Sequence, residues 1–149
     1  MPKERAKSIL YFLIGLGNLR SKNNKHEEAL EYFQQAYELN PKDLSANLKL
    51  ASELVHLGRD SEAEEAYQFI LATNPKQIFA LMGLGNLRSK NNKHEEALEY
   101  FHQAYDANSE DIGVSLRFIK TLRRLHRFSE AEIICNIVSE RNPMIYLEL

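Results

Sequence analysis

The chain has 149 residues, 44% of them hydrophobic and 27% charged, which suits a packed core in one domain of ordinary size. Its formal net charge of −2 gives no general pull toward nucleic acid or an anionic membrane surface, and no run approaches the roughly 18 apolar residues of a membrane span. The single cysteine, Cys135, excludes an internal disulfide framework and suits a reducing compartment, so a cytoplasmic location is expected.

The chain opens MPKERAKSILYFLIGLG, a basic start followed by an apolar stretch. A signal peptide is not expected there, because the GLGNLR that closes the stretch recurs in mid-chain, where it must be structural. That recurrence organises the sequence. Residues 15–37, GLGNLRSKNNKHEEALEYFQQAY, return at 83–105 with one change in 23 positions, Gln34 against His102, at an offset of 68. A half-period of 34 runs underneath. Ala29, Ala63, Ala97 and Ala131 lie on it, as do Phe33, Tyr67, Phe101 and Cys135, and Asn-Pro pairs start at Asn40, Asn74 and Asn142, with Asn108-Ser109 in the remaining slot. Four units follow, at about 10–43, 44–77, 78–111 and 112–145, in a single domain spanning 1–149.

Each unit is predicted to hold two helices. The first halves, such as LSANLKLASELVHL at 44–57, carry apolar residues at three- and four-residue steps. Short polar breaks follow: SKNNK at 21–25, GRD at 58–60, SKNNK at 89–93 and HR at 126–127. The second halves, such as 26–39 and 60–73, open with glutamates that suit the positive end of a helix dipole. Asn-Pro is expected to end the unit, since the residue before proline is pushed out of helical geometry. Alternating strand patterns are absent. The alanine on the ruler lets the second helix approach the first, against Gly17, Ala51 and Gly85, and the aromatic ring one turn later is expected to fill the space between neighbouring units. After Asn142-Pro143, residues 144–149 are read as the start of a helix that stops within about a turn and a half.

The 34-residue period with Leu-Gly, then alanine, then an aromatic, then a small or aliphatic residue, then proline resembles the tetratricopeptide repeat. Leu16-Gly17 and Leu84-Gly85 carry its start, and Ala36, Ile70, Ala104 and Val138 its small or aliphatic position. The tryptophan usual near the start of a repeat is replaced by Leu13, Asn47, Leu81 and Ser115, and the fourth unit has Ile119 at the glycine slot and Cys135 at the aromatic slot. The resemblance implies an all-α fold, a right-handed superhelical solenoid of helix-turn-helix repeats whose first helices line a concave groove. Units two and four also echo one another (SEAE at 61–64 and 129–132), so the chain is a two-repeat block present twice. Identity through the surface loop SKNNKHEE exceeds what the fold requires and points to recent duplication or to design.

Motifs that suggest chemistry have plainer readings. Gly15-Leu-Gly17 and Gly83-Leu-Gly85 lack the preceding strand and third glycine of a dinucleotide loop. HEEAL at 26–30 and 94–98 has leucine where a zinc protease needs its second histidine, and no metal-spaced pair of histidines or cysteines appears elsewhere. His26 and His94 are therefore expected at the surface, where the second helices start. Cys135 has no base or orienting partner in view. No enzyme activity, metal or cofactor is expected.

The family's groove positions map onto Ile14, Asn18 and Lys22 in the first unit and Leu48 and Ser52 in the second. In the third they are Met82, Asn86 and Lys90, and in the fourth Leu116, Lys120, Arg123 and Arg124. The resemblance therefore implies an interaction scaffold binding a peptide with apolar anchors and acidic flanks. Ile14, Leu48, Met82 and Leu116 would form an apolar stripe, Asn18 and Asn86 would bond the peptide backbone, and the cations would meet the flanks. Members of the family that clamp a chaperone's C-terminal carboxylate use a set of Lys, Asn and Arg residues of which only Asn18 is kept; Ile14, Lys49, Phe79 and Gly83 stand at the other clamp slots, so chaperone-tail binding is not expected. The alternative reading is self-association through apolar repeat ends, which repeats of this kind need to cap.

Overall fold

The structure is a computed structural model that describes residues 2–144, in which eight α-helices and no strand are found. It divides into two compact units, Met1–Pro75 and Lys76–Leu149. The first holds α1 (Lys3–Lys22), α2 (His26–Leu39), α3 (Leu44–His56) and α4 (Asp60–Thr73). The second holds α5 (Ile78–Lys90), α6 (His94–Ala107), α7 (Ile112–Arg124) and α8 (Phe128–Arg141). Within each unit every helix packs on the next in chain order. The short terminal helix expected over 144–149 falls, beyond Met144, outside the described residues.

The helices start and stop for reasons readable in single residues. Asp43, Gln77 and Asp111 precede α3, α5 and α7, and their side chains accept the N–H of Ala46, Ala80 and Val114 at 2.8, 2.9 and 3.0 Å. The second helices have no such cap and rely on glutamates in the first turn. Arg59 and Arg127, the residues preceding α4 and α8, each grip the glutamate three positions on, Glu62 and Glu130, through paired hydrogen bonds of 2.7–2.8 Å. The turn inside each hairpin is tighter than its polar run suggests, since Ser21 and Lys22 still belong to α1. It closes on one residue with positive φ: Asn24, Gly58, Asn92 or His126, at equivalent places.

The helices before each Asn-Pro end as predicted, but proline is not what the four endings share. Asn40, Asn74, Asn108 and Asn142 all adopt extended backbone, with φ from −154° to −136°, and Asn108 is followed by Ser109. The amide oxygens of Asn40 and Asn108 each accept a backbone N–H two residues on, from Lys42 and Glu110, at 3.1 and 3.2 Å. The asparagine side chain builds the stop by competing with the helical ladder.

Packing centres on the ruler of alanines. Ala29, Ala63 and Ala97 are fully buried and Ala131 nearly so. Phe101, the aromatic ring one turn later, shares a core with Phe118, Ile119 and Leu122 of the next repeat, as expected, but the ring has a second role not read from sequence. It lies over the glycine of its own hairpin: a Cβ added to Gly17 would sit 2.5 Å from Phe33 Cε1, and one on Gly85 would collide in the same way with Phe101. Bulk is traded across this pair of positions. Gly17 faces Phe33 and Gly85 faces Phe101, whereas the fourth repeat has Ile119 with Cys135, both part of the core around Phe118 and Leu122. The unusual residues of that repeat are thus a compensated exchange of volume between its two helices.

Candidate functional site

α7 reads IGVSLRFIKTLRR. Val114, Phe118, Ile119 and Leu122 are buried, which leaves Arg117, Lys120, Arg123 and Arg124 exposed on the remaining face. From α5, Asn86, Ser89 and Lys90 stand at three- and four-residue steps. These two rows meet around a cavity of about 830 Å³. Phe101 and the methyl-bearing Thr121 contribute buried side chains, Thr121 donating to the Arg117 carbonyl at 2.8 Å, and Phe128, more than half exposed, stands at the start of α8. Lys90, Arg117, Lys120, Arg123 and Arg124 give the lining five cations, and no carboxylate is among the described residues that line it. In a chain of net charge −2, this is a concentrated positive field.

The first unit repeats the α5 half in α1 but not the α7 half in α3. Lys49, Ser52, Val55 and His56 stand where the second unit has Arg117, Lys120, Arg123 and Arg124. A cavity of about 870 Å³ in this unit lies against α2 and α4 and is lined by Glu27, Glu31, Glu62 and Glu65 together with Arg59.

Of the residues expected at the groove, Asn86, Lys90, Lys120, Arg123 and Arg124 come together in the second unit's cavity. Asn18 and Lys22 are exposed on α1, and Leu48 and Ser52 half-buried on α3. The apolar positions lie deeper: Ile14 is buried, and Met82 and Leu116 pack against the second unit's core. Arg117 belongs to the cavity and was missed, although its spacing from Lys120 and Arg124 places all three on one helical face. The histidines opening α2 and α6 are half-buried rather than superficial, and His26 bonds Glu53 on α3. Cys135 is half-buried, and burial pushes its thiol up, away from the thiolate a nucleophile needs.

Two sequence models of the tetratricopeptide repeat match the chain, over residues 21–84 and 80–111. The chain belongs to the tetratricopeptide repeat family. As such it is a protein–protein interaction scaffold, of a kind that is generally non-catalytic. The fold is shared with a thermophilic tetratricopeptide repeat protein of Thermus thermophilus, at a TM-score of 0.73 and 21% identity over 90% of this chain and 75% of that one. It is shared equally with the first tetratricopeptide domain of Spaghetti (RPAP3), solved bound to the HSP90 peptide SRMEEVD, at a TM-score of 0.73 and 20% identity over 80% of this chain and 97% of that one. Among curated proteins the repeats are similar to Protein O-mannosyl-transferase Tmtc3 of Drosophila melanogaster, 28% identical over 127 residues, and to TMTC1 of Homo sapiens, 29% over 99. These matches take in 75% and 66% of the chain but only 14% and 11% of the relatives, so the chain spans a small part of their length. No helix among the described residues is long and apolar enough to cross a membrane.

Proposed function

We propose that the cavity between α5 and α7 takes an acidic segment of a partner protein, and that this is how the scaffold engages its ligand in a reducing, cytoplasmic setting. The observation that carries the reading is the lining of five cations without a carboxylate, in a cavity of about 830 Å³. Asn86 supplies a donor and an acceptor for the peptide backbone, and the exposed Phe128 ring offers an apolar contact at one side. The HSP90 peptide seated in Spaghetti carries acidic residues, in keeping with such a ligand. The terminal-carboxylate clamp is not part of the proposal, because Ile14, Lys49, Phe79 and Gly83 cannot supply it.

The test is fluorescence anisotropy with a labelled peptide of alternating glutamate and leucine, against the intact chain and against Lys120→Glu/Arg123→Glu. Affinity should fall at least about tenfold on charge reversal and weaken steeply with added salt. Equal affinity for both proteins refutes the reading.

A second reading, self-association, has its own observation. Phe12 and Leu19 are 65% and 59% exposed on α1, and nothing lies within 4 Å of a Cβ placed on Gly15 between them, so one face of α1 presents an uncovered apolar strip. Light scattering across a concentration series decides it: a mass that stays monomeric throughout removes it.

A further inference from the structure

Four side chains from two separate stretches of sequence meet where α1 ends, α2 begins and α3 ends: Ser21, His26, Glu53 and His56. Glu53 is only 3% exposed. Its Oε1 accepts the Ser21 hydroxyl at 2.5 Å, and its Oε2 accepts from His26 Nδ1 at 2.7 Å. The His26 ring lies flat against that of His56, with centroids 4.7 Å apart and planes within 2°. His56 Nδ1 in turn donates to the Ser52 carbonyl at 2.9 Å. A buried carboxylate with two imidazoles beside it is an expensive arrangement for a helical repeat whose fold needs only apolar contacts.

The duplicated block shows that the fold does not need it. Ser89 and His94 repeat Ser21 and His26 within the near-identical stretch, but Thr121 stands at the place of Glu53 and Arg124 at the place of His56. The second unit forms the same helices there, and His94 Nδ1 is left buried with no hydrogen-bond partner. The carboxylate and the second imidazole are therefore present in the first unit alone.

We propose that His26, Glu53 and His56 form a binding site for a divalent transition-metal ion of the zinc class. One donor atom from each of the three lies within 4.8 Å of the others. Two imidazoles and a carboxylate are a ligand set that zinc accepts, with a fourth position left to water or to a partner's side chain. The cation takes the place of the proton shared by His26 Nδ1 and Glu53, and the His26 ring then carries its proton on Nε2. In the metal-free protein His56 holds Nδ1–H on the Ser52 carbonyl, which fixes the tautomer that leaves Nε2 free as the donor. Parallel rings do not aim two lone pairs at one point, so binding requires the exposed His56 ring to swing about its Cβ–Cγ bond. Ser21 holds the other carboxylate oxygen in place. The bound ion ties the α1–α2 turn to the end of α3, joining the first repeat to the second.

The experiment titrates zinc sulfate into the EDTA-stripped, dialysed full chain by calorimetry, with Co²⁺ absorption as the geometric readout. One ion per chain is expected, with a rise in the thermal midpoint as zinc is added. Glu53→Thr/His56→Arg, which copies the second unit's residues into the first, should bind at least about tenfold more weakly and lose the midpoint rise. His56→Arg alone, at an exposed position, gives the same loss if the double variant folds poorly, and His102→Asn/His126→Asn should bind like the parent. Absence of zinc binding by the parent, or undiminished binding by His56→Arg, overturns the assignment.

Discussion

The glycine beneath the aromatic ring gives the sharpest stability prediction. Glycine in a helix interior is worse than alanine by roughly 0.5–1 kcal/mol, so Gly→Ala there ordinarily stabilises. At Gly17 the added methyl meets three atoms of the Phe33 ring at 2.5–2.8 Å, well inside the 3.4 Å where ordinary contact begins. Phe33 is fully buried, with no solvent side to retreat to. Overpacking of this kind costs about 1–3 kcal/mol, so the net loss for Gly17→Ala is about 1–2 kcal/mol, or a fall of about 5 °C in the thermal midpoint. Gly15, two residues earlier in α1, is the matched control: a Cβ there touches nothing within 4 Å, and Gly15→Ala should gain the propensity term alone. Urea melts of the two variants beside the parent measure the difference, expected to be about 1.5–3 kcal/mol between them. Equal or raised stability for Gly17→Ala would refute the idea that the ring's seat is set by the missing Cβ. The double variant Gly17→Ala/Phe33→Leu should recover part of the loss, because the smaller side chain yields the space.

Three further outcomes follow from the same structure. Gly58→Ala should cost about 1 kcal/mol in a chemical melt, purely from its φ of +72°, since nothing crowds its Cβ, and Gly58→Asn should cost less. Ser109→Pro should raise the thermal midpoint by an amount equivalent to roughly 0.5 kcal/mol, because Asn108 already has the extended backbone that precedes proline at the other three endings; a lowered midpoint would show that the endings are not equivalent. The Arg59 and Arg127 hydrogen bonds hold the Glu62 and Glu130 carboxyls below the ordinary 4.5. A carboxylate depressed in the folded state stabilises above its unfolded pKa and loses that contribution as pH falls through its folded one. Arg59→Met/Arg127→Met should therefore lower the midpoint at neutral pH, by the small amount expected of exposed pairs, and leave it unchanged near about pH 2.

The repeat ruler made most of the fold legible before any coordinate. The 34-residue spacing of Ala29, Ala63, Ala97 and Ala131 fixed which helices pair, and the second helices begin and end where the sequence placed them, at His26–Leu39 and Asp60–Thr73. Helical periodicity is local, and each hairpin buries its own face, so sequence neighbours are spatial neighbours. The cationic row was legible for the same reason: Lys120, Arg123 and Arg124 lie on one helix, and the Asn86 and Lys90 that join them come from the other first helix of the same unit. Arg117 stands outside the family's groove positions, yet the 3.6-residue period sets it on one face with Lys120 and Arg124.

What the sequence could not give is anything that depends on how one hairpin leans on the next. His26 and His56 stand 30 residues apart with no spacing that announces a ligand pair, and Glu53 reads as one more helix glutamate. Only the packing of α3 against the α1–α2 hairpin buries that carboxylate, sets Ser21 and His26 on its two oxygens, and stacks the imidazoles. The seat of the ring over Gly17 was hidden for a like reason. A periodic sequence says which positions are small and which are large, but the direction in which Phe33 points is set by the crossing of two helices and by the space a missing Cβ leaves.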